Sequence, residues 1–399
     1  MARITGAVRV LDPVKAIGSV AFLAPLLTVY IPLSMAIVLP VGAVLLLTCR
    51  RINGLSPFRF DWPVVVVLTG FLIVAALSVL WSHSPALSLD KLSRTTMAMI
   101  AGLVFITALK GLDGEVANRV SSCFLAGMGI ALVLIIAERL AGGLMLRIEA
   151  DKTQNMFINQ FNRPLAILSI LIWPAVVILA QQRRVWGIGA IALFVCILLA
   201  FSSGAAAAAI GAGAVVFTAV YIFPRMGAIV VGIGLAAGIL LAPAIDSQMP
   251  APKQIFESID LPRSAYHRLL IWEFATARID ERPILGWGLN TSRAIPGGQK
   301  NLDVSEKALP LHPHNAALQW RLELGILGSL FGAALFLVST EMARRYAAGR
   351  VARAGAVAAI VSTSAIAMLS FGAWQTWWVS SIFLIAGFTI LVCRRRSPG

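Results

Sequence analysis

Apolar residues in this chain come in long runs separated by short polar stretches. The runs fall near 16–31, 33–48, 62–80, 94–109, 118–138, 164–180, 185–201, 204–222, 226–243, 321–340, 354–372 and 375–392, which predicts twelve helices. Some are short for a hydrocarbon core that takes about 20 helical residues to cross. Pro25, Pro32 and Pro40 interrupt the first two. Proline is tolerated in such helices where neighbours re-satisfy the freed carbonyls. These two runs follow each other directly and read as a retained hairpin of spans, not as a cleaved leader. Between 245 and 320 lies the only sizeable polar segment. The expected fold is an all-α polytopic membrane protein of about twelve transmembrane helices. Helices 1–9 fill 1–244, a long helical loop covers 245–320, and 321–399 holds the last three helices and a basic tail.

Composition strengthens this picture. Of 399 residues, 59% are hydrophobic and 13% charged, against about 45–50% and about 25% in soluble domains. Lipid is therefore the solvent for most of the chain. A net charge of +15 would suggest nucleic acid in a soluble protein. Here the basic runs are short and flank apolar segments, so the expectation is membrane lipids and no nucleic acid. With the N-terminus inside, the inner segments hold 18 Lys and Arg, among them Arg3, Arg9, Arg59 and Arg394–Arg396. The short outer segments hold 6: Lys91, Arg94, Arg139, Arg147, Lys152 and Arg163. That asymmetry places both termini in the cytoplasm. The long loop and all four histidines then lie outside. Cys49, Cys123, Cys196 and Cys393 avoid the predicted outer loops, so they read as packing residues and not as a disulfide framework. No internal repeat is visible, and no matching pair of broken helices of the kind transporters use.

The candidate chemistry gathers around His312-Pro313-His314-Asn315, followed by Gln319, Glu323, Gly325 and Gly328. Upstream stand Arg263, Arg268, Trp272, Pro283 and Gly286-Trp287-Gly288. Together these elements resemble the signature of the O-antigen ligase and Wzy-type polysaccharide polymerase superfamily, loosely over the whole topology and sharply from 263 to 328. The resemblance implies a bacterial inner-membrane enzyme working at the periplasmic face, without metal or other cofactor. Its donor would be an undecaprenyl-pyrophosphate-linked glycan. Its acceptor would be lipid A-core or a similar sugar hydroxyl, or, for a polymerase, the growing polysaccharide. His314 would assist the attacking hydroxyl in an inverting transfer, while Arg268 and Arg163 steady the departing pyrophosphate. Asn315 and Glu323 would orient His314 or the acceptor. Arg263, Arg293, His312, Gln319 and Trp272 complete the expected substrate contacts.

The residues support this independently. Pro313 fixes its own φ and biases His312 away from helix, so a helix can begin just after it. That would set His314 and Asn315 in a first helical turn at the membrane surface, where free N–H groups favour a pyrophosphate. Neutral imidazole is available near pH 7 to take a hydroxyl proton. The alternative is a histidine that only caps the helix or meets interfacial lipid. Arg268 and Trp272 are spaced i, i+4 and share one helix face. Guanidinium groups suit a leaving group whose negative charge grows. Arg278 and Arg282 read better as partners of Glu273, Asp280 or Glu281 on a solvated face, and Arg293 is balanced between the two roles.

The chain departs from the superfamily at Ser202-Ser203-Gly204, where members commonly carry Ser-Arg-Gly with the arginine on the carrier's phosphates. Arg163, at the outer start of the sixth span, is the candidate replacement; an interfacial anchor is its ordinary reading. His312 and His314 have only Asp303, Glu306 and Glu323 as nearby carboxylates, a poor match to a three- or four-ligand metal site. Trp374, Trp377 and Trp378 read as an interfacial aromatic belt. A transporter or flippase is the rival of a different class, but it wants charged residues in mid-span, and the predicted spans are nearly free of them.

Overall fold

The computed structural model describes residues 12–53, 60–110, 112, 114–143, 154–201, 203–302 and 306–394, with side chains from 161 onward in the helix that begins at Gln154. Arg3, Arg9, Arg59, Arg147, Lys152, Ser202, Asp303, Arg395 and Arg396, which entered the sequence reading, lie outside the described residues. The helices are α1 (Pro13–Tyr30), α2 (Met35–Ile52), α3 (Trp62–Leu77), α4 (Pro85–Leu109), α5 (Gly114–Leu140), α6 (Gln154–Gln181) and α7 (Trp186–Leu199). They continue as α8 (Gly204–Ile222), α9 (Met226–Ser247), α10 (Pro252–Ser258), α11 (Arg263–Glu281), α12 (Ala316–Tyr346), α13 (Gly349–Leu369) and α14 (Thr376–Cys393). The protein is an all-α polytopic membrane protein. Among the described residues, 11 helical segments are long and apolar enough to cross a membrane. The seventh predicted run, 185–201, folds as α7 with only 14 residues, about 21 Å of helix against a core of about 30 Å.

Outward faces of the bundle carry Ile37, Val66, Ile100, Val133, Val215 and Ile233, all exposed, as befits a surface solvated by lipid. The most enclosed spans are α6, α13 and α14. Helix α13 packs on α8 and α6, α14 on α4, and α12 on both α9 and α3. Several helices begin before hydropathy predicts. Helix α4 starts at Pro85, not 94, and α12 starts at Ala316, not 321. The early start of α4 mixes Ser88, Asp90, Lys91 and Ser93 with apolar residues, and that of α12 carries Gln319, so each falls outside the apolar run while the helix continues through it.

Chain direction separates the two ends of the bundle. Helices α4, α12 and α14 each run from one end, which holds Ser84, Asn315 and Gln375, to the other, which holds Lys110, Ala347 and Arg394. At that second end Arg50 donates to the Ala108 carbonyl at 3.1 Å, Arg394 to the Lys110 carbonyl at 3.2 Å, and Arg353 to the Arg344 carbonyl at 3.1 Å. Arginines thus close the carbonyl ends of helices, where positive charge is stabilising.

At the first end, the described residues between 248 and 315 fold back over α12. Ile271, Ala275 and Ile279 of α11 pack with Trp287, Ile295 and Leu309 of the loop onto Leu318 and Leu322 of α12. Burying each such aliphatic side chain contributes roughly 1.5–3 kcal/mol, enough to seat the loop on the bundle. The junction is sharper than packing alone. Gly325 breaks α12 with φ 64°, freeing backbone groups at membrane depth. The loop satisfies them: Trp287 N–H donates to the Leu322 carbonyl at 2.9 Å, Gly288 N–H to the Glu323 carbonyl at 2.8 Å, and Ile326 N–H to the Ile284 carbonyl at 3.2 Å. Irregular backbone inside a membrane protein survives only with such partners. The positive φ and the close approach of the Ile284 carbonyl leave no room for a Cβ at Gly325. Gly286, at φ 68°, is pressed against the Glu323 backbone in the same way.

Candidate functional site

Asn315 is the N-cap of α12, one residue before the helix. Its backbone is extended, and Oδ1 accepts from the Ala317 and Leu318 amides at 3.0 and 3.2 Å, an N-cap arrangement that ties two otherwise free donors. His314 also precedes the helix, with φ 56°. This corrects the expected placement of both residues in the first turn: the helix begins at Ala316 because Pro313, a left-handed His314 and an extended Asn315 exclude helical geometry. A left-handed non-glycine residue costs of order 1–3 kcal/mol, and several contacts hold it. The Trp272 Nε1–H donates to the Pro313 carbonyl at 2.8 Å, so α11 grips the loop through the helix face that also bears Arg268. His314 N–H donates to His312 Nδ1 at 3.2 Å, and the two rings lie 4.3 Å apart.

The tautomer of His314 follows from its partner. Nδ1 lies 2.5 Å from the Ser370 carbonyl, which can only accept, so Nδ1 carries the proton and Nε2 holds the lone pair. Burial lowers the His314 pKa from its ordinary 6.5; the Ser370 carbonyl partly opposes this, and the charges of Arg268 and His267 reinforce it. Burial likewise pushes His312 down to about 3, aided by His314, Arg293 and Arg268. Both imidazoles are neutral at pH 7. Half-buried Arg268 therefore stands within electrostatic reach of both rings, and exposed Arg293 within reach of His312. Arg293 also reaches Lys91 of α4.

Arg163 is exposed on α6, and its guanidinium lies 5.7 Å from the centre of the Trp377 ring. Trp377 Nε1–H donates to Gln375 Oε1 at 3.0 Å, and the Gln375 amide nitrogen lies 3.3 Å from His312 Nε2. Arg163 is thus joined to the histidine pair through two side chains. Arg263 is exposed at the start of α11, rotated about 140° around the helix from Arg268. Arg278 forms the expected ion pair with Glu281 at 2.8 Å, whereas Arg282 stacks on Trp287 at 4.2 Å.

Glu323 and Gln319 differ from their expected placement among the substrate contacts. Glu323 is 0% and Gln319 2% exposed. The Glu323 carboxylate accepts from Asn290 N–H at 2.5 Å, Trp374 Nε1–H at 2.6 Å, Gln319 Nε2 at 3.1 Å and Ser292 N–H at 3.4 Å, and also from the Ser292 hydroxyl. Gln319 Oε1 accepts from the Ala373 amide at 2.8 Å. Among the described residues, neither Glu323 nor Asn315 hydrogen-bonds to His314. Glu323 instead fastens the loop bearing Arg293 to the α13–α14 turn bearing Ser370. Trp374, Trp377 and Trp378 are buried, not a lipid-facing belt: the indole N–H groups of Trp374 and Trp377 donate within this framework, and the Trp378 ring packs against Phe371 and Trp377.

Sequence reasoning missed Ser370, Gln375 and Lys91 as members of the site. Ser370 acts through its carbonyl, which no side chain signals. Gln375 was legible as a polar residue wedged among three tryptophans. Lys91 was counted only as an outer charge, since α4 begins earlier than its apolar run. The α3–α4 turn, too, is part of the assembly: the Leu289 amide donates to Ser78 Oγ at 3.0 Å, Ser88 Oγ donates to the Leu289 carbonyl at 2.5 Å, and His83 stacks on Trp287 at 5.1 Å. Among the described residues, no group of three or more His, Cys, Asp or Glu is arranged to hold a metal ion.

Comparison with known proteins gives the chain its family. A family model described as O-antigen ligase matches residues 190–333, a span that runs from α7 through Gly325. A protein of Rickettsia conorii, provisionally named a polysaccharide ligase, is 30% identical over 309 residues, covering 75% of this chain and 74% of its own. Similarly named proteins of Rickettsia prowazekii and Rickettsia typhi are each 31% identical, covering 68% and 67% of this chain and 68% and 66% of their own. The family match over 190–333 and relatives at least 30% identical over two thirds to three quarters of the chain lead to one assignment: the protein belongs to the O-antigen ligase family.

Proposed function

We propose that this protein transfers a glycan from undecaprenyl pyrophosphate to a sugar hydroxyl at the periplasmic face of the bacterial inner membrane. The observation that carries the reading is His314, whose Nδ1 is committed to the Ser370 carbonyl at 2.5 Å, leaving Nε2 as a base beside Arg268. The acceptor hydroxyl gives its proton to Nε2 as its oxygen bonds to the anomeric carbon. The bond from that carbon to the pyrophosphate oxygen breaks on the opposite face, inverting the centre. Negative charge grows on the leaving pyrophosphate, and Arg268, Arg293 and Arg163 supply fixed positive charge for it. The periplasmic assignment rests on the excess of Lys and Arg at the end opposite the histidines.

Trp272, Asn315, Gln319 and Glu323 hold the site in shape in this reading and do not meet the reacting atoms. The acceptor is lipid A-core or a comparable surface glycan, in keeping with the polysaccharide-ligase names of the relatives; a polymerase would use a growing chain by the same chemistry. Purified protein incubated with undecaprenyl-pyrophosphate glycan and each acceptor in turn should extend lipid A-core. Transfer only to free polysaccharide would make it a polymerase, and turnover of neither would overturn the reading. Activity should survive EDTA; its loss, with rescue by a divalent ion, would replace the metal-free mechanism.

A further inference from the structure

A large cavity of about 710 Å³ lies away from the histidine pair, between α3, α4, α12, α13 and α14. Its walls are apolar for most of their length, with Phe71, Met99, Phe336, Ile360, Ile382 and Ala386 among them. Toward the histidine end it is bounded by Ala316, Trp320, Ala373 and Trp374, all without formal charge. Toward the basic end it is bounded by Arg50, Lys110 and Arg394, with Asp61 as the acidic residue among them. These groups converge on the C-terminal end of α4: Arg50 and Arg394 donate to carbonyls of Ala108 and Lys110, and Lys110 pairs with Asp61. Among the described residues lining this mouth, three cations stand against one carboxylate, a net charge of about +2.

We infer that this cavity binds an anionic phospholipid of the cytoplasmic leaflet, its phosphate at Arg50, Lys110 and Arg394 and an acyl chain along the apolar walls. Basic pockets between transmembrane helices on the cytoplasmic side favour such headgroups, and a cavity of several hundred Å³ suits a ligand of this size. The alternative occupant is the tail of the glycan donor. The placement of charge argues against it, because a lipid whose pyrophosphate lies near His314 would bring an uncharged tail, not a phosphate, to the basic mouth lined by Arg50, Lys110 and Arg394. From α14 residue Val379 to Arg394 the cavity follows 15 helical steps, about 22 Å. One leaflet is about 15 Å deep, so an acyl chain entering at the basic mouth fits within it. This inference does not depend on the transfer chemistry.

The test is lipid retention by native mass spectrometry on the full chain, stripped in detergent and re-exposed to phosphatidylglycerol, phosphatidylcholine with the same chains, inorganic phosphate or undecaprenyl phosphate. Phosphatidylglycerol should be retained roughly ten- to thirtyfold better than phosphatidylcholine, the scale expected for two net charges at a membrane surface. Inorganic phosphate should not displace it, since the chain supplies much of the affinity. Arg394→Glu, at an exposed position beyond the end of α14, should reduce phosphatidylglycerol retention to the phosphatidylcholine level. Ala386→Phe should fill the cavity and abolish retention. Equal retention of the two phospholipids, displacement by undecaprenyl phosphate, or wild-type retention in Arg394→Glu would each overturn the inference. If Ala386→Phe does not fold, the Arg394→Glu comparison still decides.

Discussion

Replacing Glu323 by Gln changes one heavy atom from oxygen to nitrogen and tests whether the site is built on a buried carboxylate. In the native protein Asn290 N–H and Trp374 Nε1–H both donate to Oε2, while Ser292 and Gln319 donate to Oε1. A glutamine can present its oxygen to only one of these sets; its NH2 then faces donors on the other side. At least two bonds to a charged acceptor are lost, at about 1.5–3 kcal/mol each, for a total of about 3–6 kcal/mol. Whole domains are stable by about 5–15 kcal/mol, so the variant should lose a large share of the protein's stability. Ser292→Ala removes the hydroxyl donor alone and should cost far less. Thermal inactivation followed by fluorescence-detected size exclusion, in one detergent at one scan rate, reads the difference for a protein that unfolds irreversibly. Surviving Glu323→Gln protein should also turn over slowly, because the loop carrying Arg293 loses its fastening. An apparent melting temperature within about 1 °C of wild type would refute the reasoning, since a loss of about 3–6 kcal/mol against an unfolding entropy of about 0.8 kcal/mol/K for 399 residues moves it by about 4–7 °C.

Four further outcomes test the reacting groups. His314→Ala should lower turnover by about 10²–10⁴ with donor binding retained, and full activity at normal protein levels would sink the base assignment. The working form is neutral His314, and its pKa is lowered from 6.5; the acid limb of the wild-type rate profile should therefore fall below pH 6.5, and a limb at or above that value contradicts the burial argument. Arg268→Ala should weaken both donor binding and turnover, while Arg268→Lys recovers only part because a point charge lacks the two-pronged guanidinium fit; complete recovery would show that only net charge matters. Arg163→Ala should reproduce the Arg268→Ala phenotype in binding assays if it supplies the charge absent at Ser203, whereas unchanged donor affinity would make it an anchor stacked on Trp377.

Much of the fold was legible because crossing a lipid core demands length and apolar composition before it demands specific neighbours. The apolar runs located the membrane helices on that basis alone. They failed where a helix continues into polar sequence: Ser84 through Asp90 look like a loop, yet α4 begins at Pro85 and carries Lys91 toward Arg293. The site was legible where it rests on side chains in sequence, as at Trp272, Arg268 and the histidine pair. It was not legible where backbone atoms do the work. The Ser370 carbonyl selects the His314 tautomer, and the Ala373 amide holds Gln319, but neither atom has a residue type that announces it. The tryptophans at 374, 377 and 378 misled for a related reason. Their composition suits an interface, but their burial follows from the partners that α12 and α6 bring to them.

The broken helix explains why the glycines and the histidine occur together. A continuous α12 would keep the Leu322 and Glu323 carbonyls for its own next turn, leaving the Trp287 and Gly288 amides without partners. Breaking the helix at Gly325 releases those carbonyls, and the 284–288 segment takes them up. The same segment then leads into Asn290 and Ser292, which close on the Glu323 side chain two residues before the break. Arg293 follows immediately. A helix interruption inside the membrane thereby fixes the position of a cation outside it, through a path of backbone and carboxylate contacts within a few residues. Gly286, Gly288 and Gly325 contribute no charge and no proton. They set the distance between Arg293 and the histidines, on which any stabilisation of a departing pyrophosphate depends.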